Sequence, residues 1–229
     1  DLTSKITCES CHTATPHKKD AKANDHTDKV ACQSCHISTF ARINPTKMSW
    51  DWSTAGKKKN GKPFTTKDQF GKDEYNTKKG SFTWDKNVKP EYYWFNGSLE
   101  PLTVKDTIDP SKEVLITRPS GHRDDPNSRI FPFKVHRGKQ PYDKVEKRFV
   151  LPHLYPKGKD DKDAYWKSFD WNKAISFGME YAGLEYSGEY DFVETTYLFP
   201  TTHMVAPKDQ VVACSECHTS SEGRLANLG

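Results

Sequence analysis

"CESCH" at Cys8–His12, "CQSCH" at Cys32–His36 and "CSECH" at Cys214–His218 are the only places where this 229-residue chain uses cysteine. Six cysteines fall into three Cys-x-x-Cys pairs, and a histidine follows each pair directly. Three chemistries compete for such pairs: disulfides, zinc, and covalent attachment of haem. Zinc takes four ligands, commonly from two pairs brought together, and has no use for a histidine directly after the second cysteine. A catalytic redox Cys-x-x-Cys stands once, at the strand-to-helix junction of a thioredoxin-like unit, and no such pattern surrounds these. Haem attachment uses every residue of the motif: two thiols add to the vinyl groups as thioethers, and the adjacent imidazole supplies the proximal iron ligand. The spacing predicts three c-type haems on Cys8 and Cys11, Cys32 and Cys35, and Cys214 and Cys217, with His12, His36 and His218 proximal.

Composition agrees with that reading. Only 34% of residues are hydrophobic and the mean hydropathy is -0.90, yet the chain carries six Trp, ten Tyr and twelve Phe. So many aromatics argue against disorder, while so polar a chain is expected to complete its interior with something apolar that is not protein. Haem would supply it, at about 25 cal/mol per Å² of apolar surface buried. A net charge of +4 from 35 basic and 31 acidic residues gives no whole-chain nucleic-acid footprint. The lysine-rich stretch from Gly56 to Gly80 reads as a solvated loop. No apolar run approaches the ~18–20 residues of a membrane span, and an opening at Asp1 rather than Met is expected of a chain whose leader has been removed.

Nine histidines less the three of the motifs leave six for distal ligation. His26 precedes the second motif and His203 the third, the upstream placement expected of distal ligands. His17 follows the first motif too closely to cross its own haem, so it is expected to serve a neighbouring one. His122, His136 and His153 lie in the long haem-free middle, where they read first as a turn residue, a hydrogen-bond donor to a propionate and a packed loop histidine, and as distal ligands only after those.

The expected fold is mostly α with extensive irregular loops, the haems forming much of the core. Residues 1–42 read as a two-haem segment, 43–162 as an irregular, loop-rich section with short strands, and 163–229 as a helical segment carrying the third haem. Asp163 to Leu184 has near-helical spacing of Trp166, Phe169, Ala174, Ile175 and Met179. A further helix is expected from Pro207 into the third motif.

Three stretches resemble the C-terminal part of the octahaem tetrathionate reductase family of cytochromes c: "KVACQSCHISTFAR" from Lys29, "FPFKVHRGKQPYD" from Phe131, and the run from Ala164 to His218. Members of that family carry eight haem sites, and their catalytic haem has an axial lysine in the N-terminal part, to which nothing here corresponds. The resemblance implies the electron-conducting end of such an enzyme, as a shortened relative, a portion of a longer protein or one subunit of a complex. Electron transfer through closely spaced low-spin haems is therefore the expected function, with no catalytic residue assigned. The alternatives are a haem-based reductase of a small sulfur or nitrogen oxyanion and a subunit of a cytochrome filament or larger multihaem complex. Thioether attachment happens outside the cytoplasm, so a periplasmic or extracellular location is expected, with redox proteins or further copies of the chain as partners.

Overall fold

"RIFPFKVHRGKQPYD" sets large apolar side chains against polar ones at alternate positions, Phe133 and Val135 against Lys134 and His136, and that period of two belongs to a strand. In the structure, a computed structural model that describes residues 7–219, 222–226 and 228, this stretch is a single 15-residue strand, Arg129–Asp143. The expected mostly α fold is thereby corrected: the chain is 18% helix and 30% strand, built on one mixed sheet.

Ten strands form that sheet: β1 (Thr46–Asp51), β2 (Thr65–Lys67), β3 (Asp73–Asn76), β4 (Gly80–Asp85), β5 (Glu91–Phe95), β6 (Leu99–Pro101), β7 (Val114–Pro119), β8 (Arg129–Asp143), β9 (Arg148–Phe149) and β10 (Tyr190–Pro200). The order is β2-β3-β4-β1-β8-β10-β7-β6. β10 pairs antiparallel with β8 from Phe133 to Asp143, so the other edge of β8 is left to β5, β1 and β9 in turn. Pro132, Gly138 and Pro141 inside β8 imitate turn punctuation, which is why the middle section reads as irregular from sequence. β10 is rich in Thr, Tyr, Phe and Val, residues that suit a pleated, half-buried surface. It lies inside the 163–229 stretch that was expected to be helical.

Five short helices complete the described chain: α1 (Glu9–His12), α2 (Cys32–His36), α3 (Tyr165–Ser168), α4 (Trp171–Tyr181) and α5 (Cys214–Cys217). The helical spacing from Asp163 to Leu184 is interrupted at Phe169, whose φ of 55° ends α3. Asp170 then caps α4 by accepting a hydrogen bond from Lys173 N at 3.0 Å. Pro207 opens only a turn of 3-10 helix, Lys208–Gln210, before α5.

Among the described residues, side chains form three core clusters. One cluster joins Ile108, Val114, Ile116, Tyr142, Phe149 and Val193 on the sheet; a second packs α4 through Trp171, Ala174, Ile175 and Met179 against Val150 and Tyr165; a third holds Phe133, Val135 and Leu198. None contains a residue of the three motifs. The lysine-rich stretch forms β2, β3 and their loops, where Lys58, Lys72, Lys78 and Lys79 lie over the rings of Phe169, Trp84 and Trp166. Residues 1–6 of the expected two-haem segment, and 220, 221, 227 and 229 of the third, lie outside the described residues.

Candidate haem-binding centre

The three motifs occupy single helical turns, α1, α2 and α5, in which the second cysteine stands one turn from the first and the histidine closes the turn. α2 is seated on the start of β8. Ile130 donates from its N to Lys29 O at 2.8 Å, Ala31 N donates to Ile130 O at 3.0 Å, and Ser34 Oγ donates to the same oxygen at 2.7 Å. α5 is fastened to α2 in turn. Ala206 N donates to His36 O at 2.7 Å and Val212 N to Cys35 O at 2.9 Å, so carbonyls that the short helix leaves open are satisfied by the strap leading to α5.

Arg224 completes the fastening. Its guanidinium donates to Glu216 Oε2 at 2.9 and 2.8 Å, to Ser38 O at 2.8 Å and to Tyr92 OH at 3.3 Å, while Tyr92 OH donates to Ser34 O at 3.2 Å. The Arg224 side chain is largely buried, so losing Glu216 would leave its charge without those hydrogen bonds. α1 is held by the Glu9–Arg129 ion pair at 3.1 Å.

The motifs run in series. Burial raises the Cys32 thiol above its ordinary pKa, and the neighbouring Cys8 raises it further. Burial likewise raises Cys35, whose cysteine neighbours are Cys217 and Cys214. α2 thus stands between α1 and α5. The His36 imidazole is pushed below its ordinary pKa by burial first and then by His17 and His12, which favours the neutral form that a metal requires.

Two of the expected distal histidines face motif histidines. The rings of His17 and His36 have centroids 6.1 Å apart and planes at 15°; those of His26 and His218 lie 5.9 Å apart at 69°. Two imidazoles on opposite sides of one metal, each with a nitrogen at about 2.0 Å from it and about 1 Å from the ring centre, have centroids roughly 6 Å apart. Both pairs meet that requirement.

The tautomers agree as well. His17 Nδ1 lies 3.0 Å from Asn24 Oδ1, and His26 Nδ1 lies 3.1 Å from Lys22 O. An amide or backbone carbonyl oxygen only accepts, so each Nδ1 carries the proton and each Nε2 keeps its lone pair for iron. Asn24 further accepts from His17 N at 3.0 Å and donates to His17 O at 3.2 Å. Sequence reasoning misses Asn24, because its only signal is an amide seven residues beyond a candidate ligand.

The other histidines are placed differently. His203 is exposed and has no ring contact among the described residues. His122 Nδ1 accepts from Asp124 N at 3.2 Å inside a turn. His136 sits on β8 with Nδ1 3.2 Å from Lys47 O and its ring beside Tyr197. His153 Nε2 is 2.7 Å from Asp161 Oδ2, and its ring packs on Phe177. His12 has no imidazole facing it among the described residues.

A family model described as bacterial cytochrome c matches residues 47–221. The chain belongs to that family. The octahaem cytochrome c from Shewanella oneidensis has the same fold at 46% identity and a TM-score of 0.85, over 93% of this chain. This chain spans 48% of that structure's length. No curated protein matches it. The resemblance read from the sequence is therefore borne out: this is a multihaem cytochrome c of the octahaem kind, a class that binds c-type haem covalently and takes part in electron transfer. No helix among the described residues is long and apolar enough to cross a membrane.

Proposed function

We propose that this bacterial cytochrome c carries three covalent haems and relays electrons along them outside the cytoplasm. The observation that carries the proposal is the facing of His17 with His36 and of His26 with His218, each pair one motif and one non-motif ring near 6 Å. When bound, haem supplies a one-electron Fe(III)/Fe(II) couple.

The chain's own residues do the rest. Cys8 and Cys11, Cys32 and Cys35, and Cys214 and Cys217 hold the three groups covalently. His12, His36 and His218 would be the motif ligands of the three groups, and His17 and His26 would hold the second and third groups together with them. Asn24 and the Lys22 carbonyl keep the distal rings turned and correctly protonated, so the ligands hold their positions while charge comes and goes. The nearness of Cys8 to Cys32, and of Cys35 to Cys214 and Cys217, supports a relay with the α2 site in the middle. Thioether attachment belongs to the far side of the cytoplasmic membrane, which supports a periplasmic or extracellular location.

His12 supports a second reading. It lacks a facing imidazole among the described residues, and the octahaem neighbour is about twice as long as this chain. Beside His12, the haem would be completed by a residue of another haem-bearing polypeptide, in a larger complex or filament, or would be accessible to a small sulfur or nitrogen oxyanion. Intact-mass measurement of the purified holoprotein tests the count. Three haems are expected, falling to two in the double variant Cys8→Ala/Cys11→Ala; two haems in the parent protein would refute the proposal.

A further inference from the structure

A cavity of about 720 Å³ is lined by Lys29, Trp94, Arg123, Asp124 and Leu228. Its walls continue the two segments that carry the facing rings of His26 and His218. Lys29 follows His26 by three residues, and its carbonyl accepts from Ile130 N, while Trp94 is the register partner of Ile130 across β5 and β8. Leu228 ends the turn beyond His218: Leu228 N donates to Leu225 O at 3.0 Å, and Arg224 N donates to Glu216 O at 2.8 Å. The 122–124 turn is drawn in by Lys29 Nζ, which donates to Arg123 O at 3.3 Å.

Lys29 and Arg123 form no salt bridge among the described residues, and Asp124 is the one acidic side chain among the described lining residues, which together are net cationic. An indole and a leucine beside two cations suit a flat apolar ring that carries carboxylates at one edge. We propose that this cavity receives the propionate edge of the haem attached at Cys214 and Cys217, with Lys29 and Arg123 as the cations that hold it. The inference rests on the reading that His26 and His218 share one iron. Besides anchoring the group, the two cations neutralise its carboxylates and so favour the reduced iron.

The test is potentiometric titration of the holoprotein followed by EPR, comparing the parent with Lys29→Gln/Arg123→Gln and with the charge-conserving Lys29→Arg/Arg123→Lys. The low-spin signal that His26→Ala removes identifies the haem in question. In the Gln pair, with three haems retained, its reduction equilibrium is expected to move on the order of tenfold toward the oxidised form, the other haems keeping theirs, and the charge-conserving pair is expected to titrate like the parent. A Gln pair that titrates like the parent, or a shift that falls on the haem assigned to His17, would overturn the propionate assignment while leaving the ligand reading intact. If His26→Ala removes no low-spin signal, the ligand reading fails and this inference with it.

Discussion

As the proposed distal ligands, His17 and His26 depend on atoms that are not their own. An imidazole offers iron a lone pair only when its other nitrogen carries the proton, and Asn24 Oδ1 and Lys22 O fix that choice. Replacing Asn24 by alanine removes its hydrogen bonds to the ring and to both backbone groups of His17. Second-shell partners of this kind are worth about 10–100-fold in ligand hold. Asn24→Ala is therefore expected to let carbon monoxide bind one reduced haem at roughly a tenth or less of the concentration the parent needs, read from the reduced-plus-CO difference spectrum; an unchanged titration would count against the tether. The cysteines and proximal histidines are legible in sequence because the chemistry demands them contiguous. The distal pairing is not, since His26 reaches across to His218 over most of the chain. Nothing in the spacing distinguishes it from exposed His203.

The strands escape a sequence reading for a reason visible in β8. Its alternation is sound from Phe133 to His136, but two prolines and a glycine break the pattern, and pairing with β10 along eleven registers, from Phe133 to Asp143, holds the strand together regardless. Long-range pairing overrode the local signal. The helical spacing of α4 was legible because its apolar stripe of Trp171, Ala174, Ile175 and Met179 is uninterrupted. α4 also approaches the backbone closely: a Cβ on Gly178 would overlap the Leu151 carbonyl oxygen and crowd His153 N. Neither obstacle is a flexible side-chain end, so the helix itself must shift. Gly178→Ala is expected to cost about 1–3 kcal/mol, seen as a melting temperature lower by roughly 2–12 °C, with the haem absorption bands unchanged because α4 carries no motif. An equally stable variant would show that the helix moves away freely.

The whole molecule joins a sheet with side-chain clusters of its own to three single-turn helices fixed at its margin. α2 rests on the first residues of β8, α5 is tied to α2 by Arg224 and the 206–212 strap, and α1 is joined to β8 through Glu9 and Arg129. That arrangement explains how so polar a chain forms a core without motif residues, and why the motif turns, too short to be stable alone, hold their order. The chain also spans 48% of the octahaem neighbour's length.

The most direct test of the account is low-temperature EPR with spin quantitation on the oxidised holoprotein and its histidine variants. Rings at 15° and at 69° predict two low-spin signals of different shape, since the splitting of the iron d orbitals follows the angle between the axial ring planes. His17→Ala is expected to convert one of them to high spin and His26→Ala the other, while His203→Ala converts neither. Spectra in which the His17 and His26 variants both remain fully low-spin would contradict the pairing and the relay built on it.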